Sequence, residues 1–195
     1  MLSDEEFAIL DYIDTYKVVK EANLAADIDL DQYVLQNLCE KGFIKRIKVS
    51  DLQIEPAGEK AATEHRNLIL DKSGRKEDLL RYSDQFEQVN VRYKGLVARW
   101  QMKEGKVPND HRDPQYDQAI MKELAQIHGE IKDLIGNISQ LVPTYPRYYQ
   151  RFGLALQQIN AGNMKYMVIA RDSYHNIWFE MHESLLKLSG KQRVE

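Results

Sequence analysis

Leu38-Cys39-Glu40-Lys41-Gly42-Phe43-Ile44-Lys45-Arg46-Ile47-Lys48-Val49, followed by Ser50-Asp51 and Leu52-Gln53-Ile54-Glu55-Pro56-Ala57-Gly58, decides the fold of the amino-terminal third. The apolar residues before Gly42 keep helical spacing, and a glycine there supplies the left-handed backbone that ends a helix. From Phe43 to Val49 apolar and basic side chains alternate, as on a half-exposed strand. Ser50-Asp51 turns the chain, Leu52-Gln53-Ile54 returns as the partner strand, and Glu55-Pro56-Ala57-Gly58-Glu59 opens a further helix.

Upstream, Ser3 with Glu6 three residues on is a capping box, which predicts a helix through Phe7, Leu10 and Ile13. A second helix is expected over residues 18–26 and breaks at Asp27-Ile28-Asp29. Asp29 or Asp31 caps a third, carrying Tyr33, Leu35, Leu38 and Cys39. Three helices, a hairpin and a helix make a winged helix-turn-helix, expected over residues 1–70. Cys39 is the only cysteine, which excludes an intrachain disulfide and a cysteine-based zinc site. Its place in the apolar register reads as a structural thiol.

Charge argues against the usual partner of such a domain. Residues 1–42 carry ten acidic and three basic side chains, a net −7, within a chain of −3 overall. In a DNA-binding helix-turn-helix the third helix supplies Arg, Lys, Asn or Gln to the major groove. Here it offers Gln32, Gln36 and Asn37, flanked by Asp29, Asp31 and Glu40. Only the hairpin is basic, with Lys45, Arg46 and Lys48. Phosphate neutralisation supplies most non-specific DNA affinity, so the acidic surface opposes approach.

Beyond residue 76 the pattern is helical, with apolar residues at alternating spacings of four and three. Tyr82, Phe86, Val89, Tyr93, Leu96 and Trp100 form one stripe, and Ile120, Leu124, Ile127, Ile131, Leu134, Ile138 and Leu141 a second. Tyr145, Tyr149, Phe152, Leu156 and Ile159 form a third, and Tyr174, Trp178, Met181, Leu185 and Leu188 a fourth. Such narrow seams predict an antiparallel, four-helix-like bundle over residues 76–190, closed within one chain or across a homodimer. Asp71-Lys72-Ser73-Gly74-Arg75 is the expected linker or kink. The fold class is therefore mainly α. No apolar run reaches the roughly 20 residues that span a bilayer, and the acidic start lacks a signal-peptide core, so a cytoplasmic protein with no membrane partner is expected.

Two polar segments exceed what packing needs. One is Pro108-Asn109-Asp110-His111-Arg112-Asp113-Pro114-Gln115-Tyr116-Asp117, a loop entering a helix with Asp113 as cap. The other is Asp172-Ser173-Tyr174-His175-Asn176-Ile177-Trp178-Phe179-Glu180-Met181-His182-Glu183. On a helix Asp172, His175, Phe179 and His182 share one stripe beside the apolar seam, with Asp172 and His175 the best local pair. Asp110 or His111 is expected to close this site from the first segment. The ligand or docking candidates are Asp110, His111, Asp113, Tyr116, Asp172, His175, Trp178 and His182. His175 and His182 lie about 10 Å apart along a helix axis, too far to share one metal, so no metal or cofactor is expected. A structural polar network is the competing reading, and His128 beside its own seam reads as a boundary residue. The chain lacks a phosphate-cradling glycine loop, a nucleophile elbow and a His-Glu-x-x-His helix, so no catalytic residue is assigned.

Leu38-x-x-x-Gly42-Phe43-Ile44 with Ile54-Glu55-Pro56-Ala57-Gly58 resembles the end of MarR-like winged-helix domains. Trp100-Gln101-x-x-x-Gly105 and the two polar segments resemble a winged-helix-plus-helical module of pyruvate, phosphate dikinase-like (phosphoenolpyruvate-synthase-like) proteins, over nearly the whole chain. That resemblance implies association with phosphotransfer machinery. This sequence has neither ATP-grasp features nor a phosphohistidine segment, so it implies a non-catalytic accessory or regulatory module with an ATP-grasp or phosphohistidine-domain enzyme as partner. The alternative is a ligand-responsive transcription regulator that touches DNA through Gln32, Gln36, Asn37, Lys45, Arg46 and Lys48.

Overall fold

The computed structural model describes residues 1–191. The chain is mainly helical, with short strands, and divides into two compact units: Met1–Lys76 with the stretch beginning at Glu180, and Glu77–Phe179. Among the described residues no helix is long and apolar enough to cross a membrane.

The first unit opens with helix α1 (Asp4–Tyr16). Ser3 Oγ accepts from Glu6 N at 3.1 Å while Glu6 Oε2 accepts from Ser3 N at 3.0 Å, so the capping box is complete. Strand β1 (Val18–Lys20) and helix α2 (Glu21–Asp27) follow, where the periodicity predicts one helix over 18–26. The β-branched pair Val18-Val19 is drawn into a sheet instead, Val19 facing Leu52 across it. Helix α3 (Gln32–Glu40) is capped by Asp31, whose Oδ1 accepts from Tyr33 N at 2.7 Å, and Gly42 beyond it takes φ +70°.

Strands β2 (Ile44–Arg46) and β3 (Asp51–Ile54) form an antiparallel hairpin, shorter than the alternation over 43–49 suggests. The sheet order is β1-β3-β2, with β3 central. Its buried face places Ile44, Leu52 and Ile54 with Leu10, Ile13, Leu24, Leu35 and Leu38 in one core. Helix α4 (Pro56–Ser73) runs through the expected linker, and the break falls at Gly74, φ +63°. Cys39 is partly buried, and burial pushes its thiol pKa up, as suits a structural role.

A buried ionic cluster ties this unit together. Arg66 on α4 pairs with Asp11 and Asp14 on α1 at 2.9 and 2.8 Å, and Lys17 and Lys187 reach Asp14 at 2.7 and 2.9 Å. Tyr16 Oη also donates to Glu180 Oε2 at 2.7 Å. The carboxy-terminal stretch is thereby part of the same unit.

The second unit holds helix α5 (Lys76–Gln101) from Glu77 onward, the two-residue strands β4 (Met102–Lys103) and β5 (Val107–Pro108), helix α6 (Pro114–Ser139), helix α7 (Pro146–Asn160), helix α8 (Lys165–Val168) and the start of helix α9 (Tyr174–Ser189). The stripes expected on α5, α6 and α9 are buried, Leu141 lying just past the end of α6. On α7 the buried line is Tyr148, Phe152, Ala155 and Ile159; Tyr149 is exposed and Leu156 only partly buried. Adjacent tyrosines leave the phase of α7 ambiguous in sequence. Trp178 stacks on Tyr93 at 3.9 Å between ring centroids, and its indole N–H donates to Asn90 Oδ1 at 2.9 Å.

Candidate functional site

The first polar segment folds into a closed cluster between α5 and α6. Asp113 caps α6 by accepting from Gln115 N and Tyr116 N, both at 3.1 Å. Buried Asn109 gives its side-chain amide to Trp100 O at 3.2 Å and to Asp117 Oδ1 at 3.0 Å, while its carbonyl takes His111 N at 3.2 Å. His111 adopts φ +55°, a left-handed backbone uncommon outside glycine, and its ring lies 4.1 Å from Trp100. Its Nδ1 stands 3.1 Å from Asp117 Oδ2.

Donor counting fixes the proton on this histidine. Both amide hydrogens of Asn109 have acceptors in Trp100 and Asp117, so the contact between His111 Nδ1 and Asp117 is made by a proton on Nδ1. In the neutral ring the lone pair is therefore on Nε2, and the side chain is partly open to solvent. Tyr116 Oη donates to Arg99 O at 3.1 Å, and Lys103 lies 5.5 Å over the Tyr116 ring and 3.4 Å from Asp110. The backbone N–H of Arg112, with Lys103, holds the Asp110 carboxyl below its ordinary pKa.

The second segment is organised differently. Asp172 precedes α9 and pairs with Arg171 at 2.6 Å and Arg151 at 3.6 Å, rather than with His175. Ser173 caps the helix, its Oγ accepting from Asn176 N at 3.2 Å. His175 and Phe179 are exposed, whereas His182 is buried and belongs to the first unit. Trp178 is core, held by Tyr93 and Asn90. The eight candidates therefore fall into separate settings: Asp110, His111, Asp113 and Tyr116 in one loop cluster, Asp172 with two arginines, and His175, Trp178 and His182 along α9. Among the described residues no three His, Cys, Asp or Glu side chains are placed to hold a metal ion.

Asn109 and Asp117 organise the first cluster, a role visible only once the loop is closed. Another set went unread in sequence: the buried charges of Asp11, Asp14 and Arg66. Two aspartates in the apolar register of one helix are the signal that marks them.

Around α3 and the hairpin three basic side chains, Lys41, Arg46 and Lys48, have acidic partners. Arg46 is hydrogen-bonded to Glu21, Lys48 lies 3.7 Å from Asp51, and Lys41 contacts Glu6 at 2.5 Å. On the exposed face of α3, Gln36 donates to Glu40 at 2.9 Å; Gln32 is exposed and Asn37 partly buried. Lys45 is exposed. Tyr33, at 78 % exposure, and Val49, at 100 %, are the most prominent apolar side chains here, with Ile47 beside Val49 in the hairpin turn.

Comparison with protein-family models, with curated proteins and with solved structures found no match.

Proposed function

We propose that the chain is a winged helix joined to a helical bundle, working as a non-catalytic docking module for a protein partner. The order of helices, the central β3 and the hairpin support the winged-helix reading; the buried seams of α5 and α6, with Tyr174 and Trp178 at the start of α9, support the bundle.

The observation that carries the docking reading is the engagement of Arg46, Lys48 and Lys41 by Glu21, Asp51 and Glu6. Cations held by neighbouring carboxylates release few counterions from a phosphate backbone, so the electrostatic drive for DNA is weak. What α3 and the hairpin offer instead are the exposed side chains of Tyr33, Ile47 and Val49 among polar and acidic residues, the types that protein interfaces combine. The resemblance of the two polar segments to phosphotransfer-associated modules names the class of partner, an ATP-grasp or phosphohistidine-domain enzyme. The hydrogen-bonded loop cluster around His111 is a second surface offered for docking.

The test is affinity capture from native extract, with and without nuclease, using the intact chain and a Tyr33→Ser/Val49→Ser variant. Nuclease-resistant capture of such an enzyme by the intact chain alone supports the reading. Nanomolar binding to a defined duplex in physiological salt, abolished by Lys45→Glu/Arg46→Glu, replaces it with the transcription-regulator reading.

A further inference from the structure

In the first unit a pocket of about 480 Å³ opens between the start of α1, the turn after α3 and one side of α4. Leu2, Phe43, Ala61 and Leu68 give it an apolar wall, and its polar lining is Lys41, Glu64 and His65. His65 is 8 % exposed and stacks on Phe7 with ring centroids 4.5 Å apart. Its Nδ1 is sealed from solvent and has no hydrogen-bond partner.

That orphaned nitrogen fixes the chemistry of the ring. A buried N–H without an acceptor is rarer than an unused acceptor, so Nδ1 carries the lone pair and Nε2 the proton. Because Nδ1 is closed off, the edge of the ring left to meet a ligand is the one that bears the Nε2–H donor. Burial also pulls the imidazole below its ordinary pKa, which keeps it neutral.

Lys41 is the second donor. Its ammonium gives one bond to Glu6 Oε1 at 2.5 Å and has two N–H groups left. The other oxygen of Glu6 is held by Ser3 N at 3.0 Å, so the capping box of α1 also fixes the anchor of Lys41. Glu64 on the rim is solvent-exposed and lies 3.9 Å from Lys60.

Two donors beside an apolar wall select a ligand that is acceptor-rich at one end and apolar along its body. From this juxtaposition we infer that the pocket binds a medium-chain monocarboxylate, its carboxylate on His65 Nε2 and Lys41 Nζ and its alkyl chain along Phe43 and Leu68. The pocket shares Lys41 with the docking reading but none of Tyr33, Ile47 and Val49, so a Tyr33→Ser/Val49→Ser variant leaves the pocket lining intact and separates the two.

Calorimetric titration of the whole chain with octanoate, octanol and octylamine tests it. Octanoate is expected to bind saturably at one site, and octanol and octylamine at least ten-fold more weakly. His65→Phe keeps a ring on Phe7 but removes the donor, and Lys41→Met removes the charge. Each is expected to weaken octanoate about ten-fold, the weight of one hydrogen bond to a charged group, with an unchanged circular dichroism spectrum. Absence of saturable octanoate binding, octylamine binding as tightly as octanoate, or affinity unmoved in both folded variants overturns the inference. Should a variant not fold, the assigned imidazole ¹⁵N signals of His65 in the unaltered protein decide. Their movement with octanoate supports the site, and their constancy overturns it.

Discussion

Arg66 donates to Asp11 through both Nε and Nη2, at 3.0 and 2.9 Å, with both side chains shut away from solvent. The same Nη2 reaches Asp14 Oδ2 at 2.8 Å, so one guanidinium bridges two carboxylates three residues apart on α1, and Lys17 and Lys187 supply further positive charge at Asp14. A buried ion pair adds little net stability over an apolar pair, but breaking one by removing a single partner strands a charge in the core.

Arg66→Met is therefore expected to cost about 3–5 kcal/mol, read from the urea midpoint. Arg66→Lys keeps the charge and loses the fork that serves both carboxylates, so its loss should be intermediate.

Acid should act through Asp14. Burial opposes its ionisation, but Lys17, Arg66 and Lys187 outweigh burial and hold the carboxyl below its ordinary value of 3.8. A depressed carboxyl contributes stability that is complete above the unfolded pKa and is lost as pH falls through the folded one. Urea midpoints should thus fall on acidification below about pH 4, and Asp14→Asn should be less stable at neutral pH with a shallower acid limb.

Asn90→Leu leaves the Trp178 indole N–H, now bonded at 2.9 Å, without its acceptor in the core. The expected cost is about 1–3 kcal/mol. In a Trp178→Phe background the same change should cost less, and a double-mutant cycle by urea unfolding measures the difference.

A Cβ on Gly58 would stand 2.3 Å from Phe43 O. That oxygen accepts from Glu55 N at 2.9 Å, at the start of α4, so neither side yields without loosening the junction of hairpin and helix. Gly58→Ala should destabilise by about 1–3 kcal/mol, checked by thermal unfolding.

His111 should show the Nδ1-protonated tautomer in long-range ¹H–¹⁵N spectra at a pH where the ring is neutral, and Asp117→Leu should shift the ring toward the Nε2–H form. An unaltered Nε2–H signal in the native protein contradicts the donor count.

The elements that read correctly in sequence are those whose causes are local. Ser3 with Glu6, Asp31, Gly42 and Asp113-Pro114 mark helix ends through bonds spanning at most a few residues. The stripes of α5, α6 and α9 survive because their bulky apolar residues recur at helical spacing. Val18-Val19 was legible only through Leu52 and Gln53, its partners across the sheet. The rotation of α7 turned on which of Tyr148 and Tyr149 points inward, which periodicity cannot settle when both are aromatic.

The candidate site divides in the same way. Asp113 and the His111 loop lie within one short span, so their proximity was readable, whereas the pairing of Asp172 with Arg151 depends on how α7 packs. Asp11 and Asp14 stand in the apolar register of α1, but the cations that meet them, Arg66 and Lys187, come from distant parts of the chain.

The bond from Lys187 to Asp14 has a consequence for biosynthesis. Translation proceeds from the amino terminus at about 5–20 residues per second, so Asp14 emerges on the order of ten seconds or more before its last cation exists. During that interval the nascent amino-terminal unit has its sheet and Arg66 but lacks the stretch from Glu180 that completes it. A stop codon ahead of Lys187 would make that interim state permanent, and the damage would fall on the first unit the ribosome made.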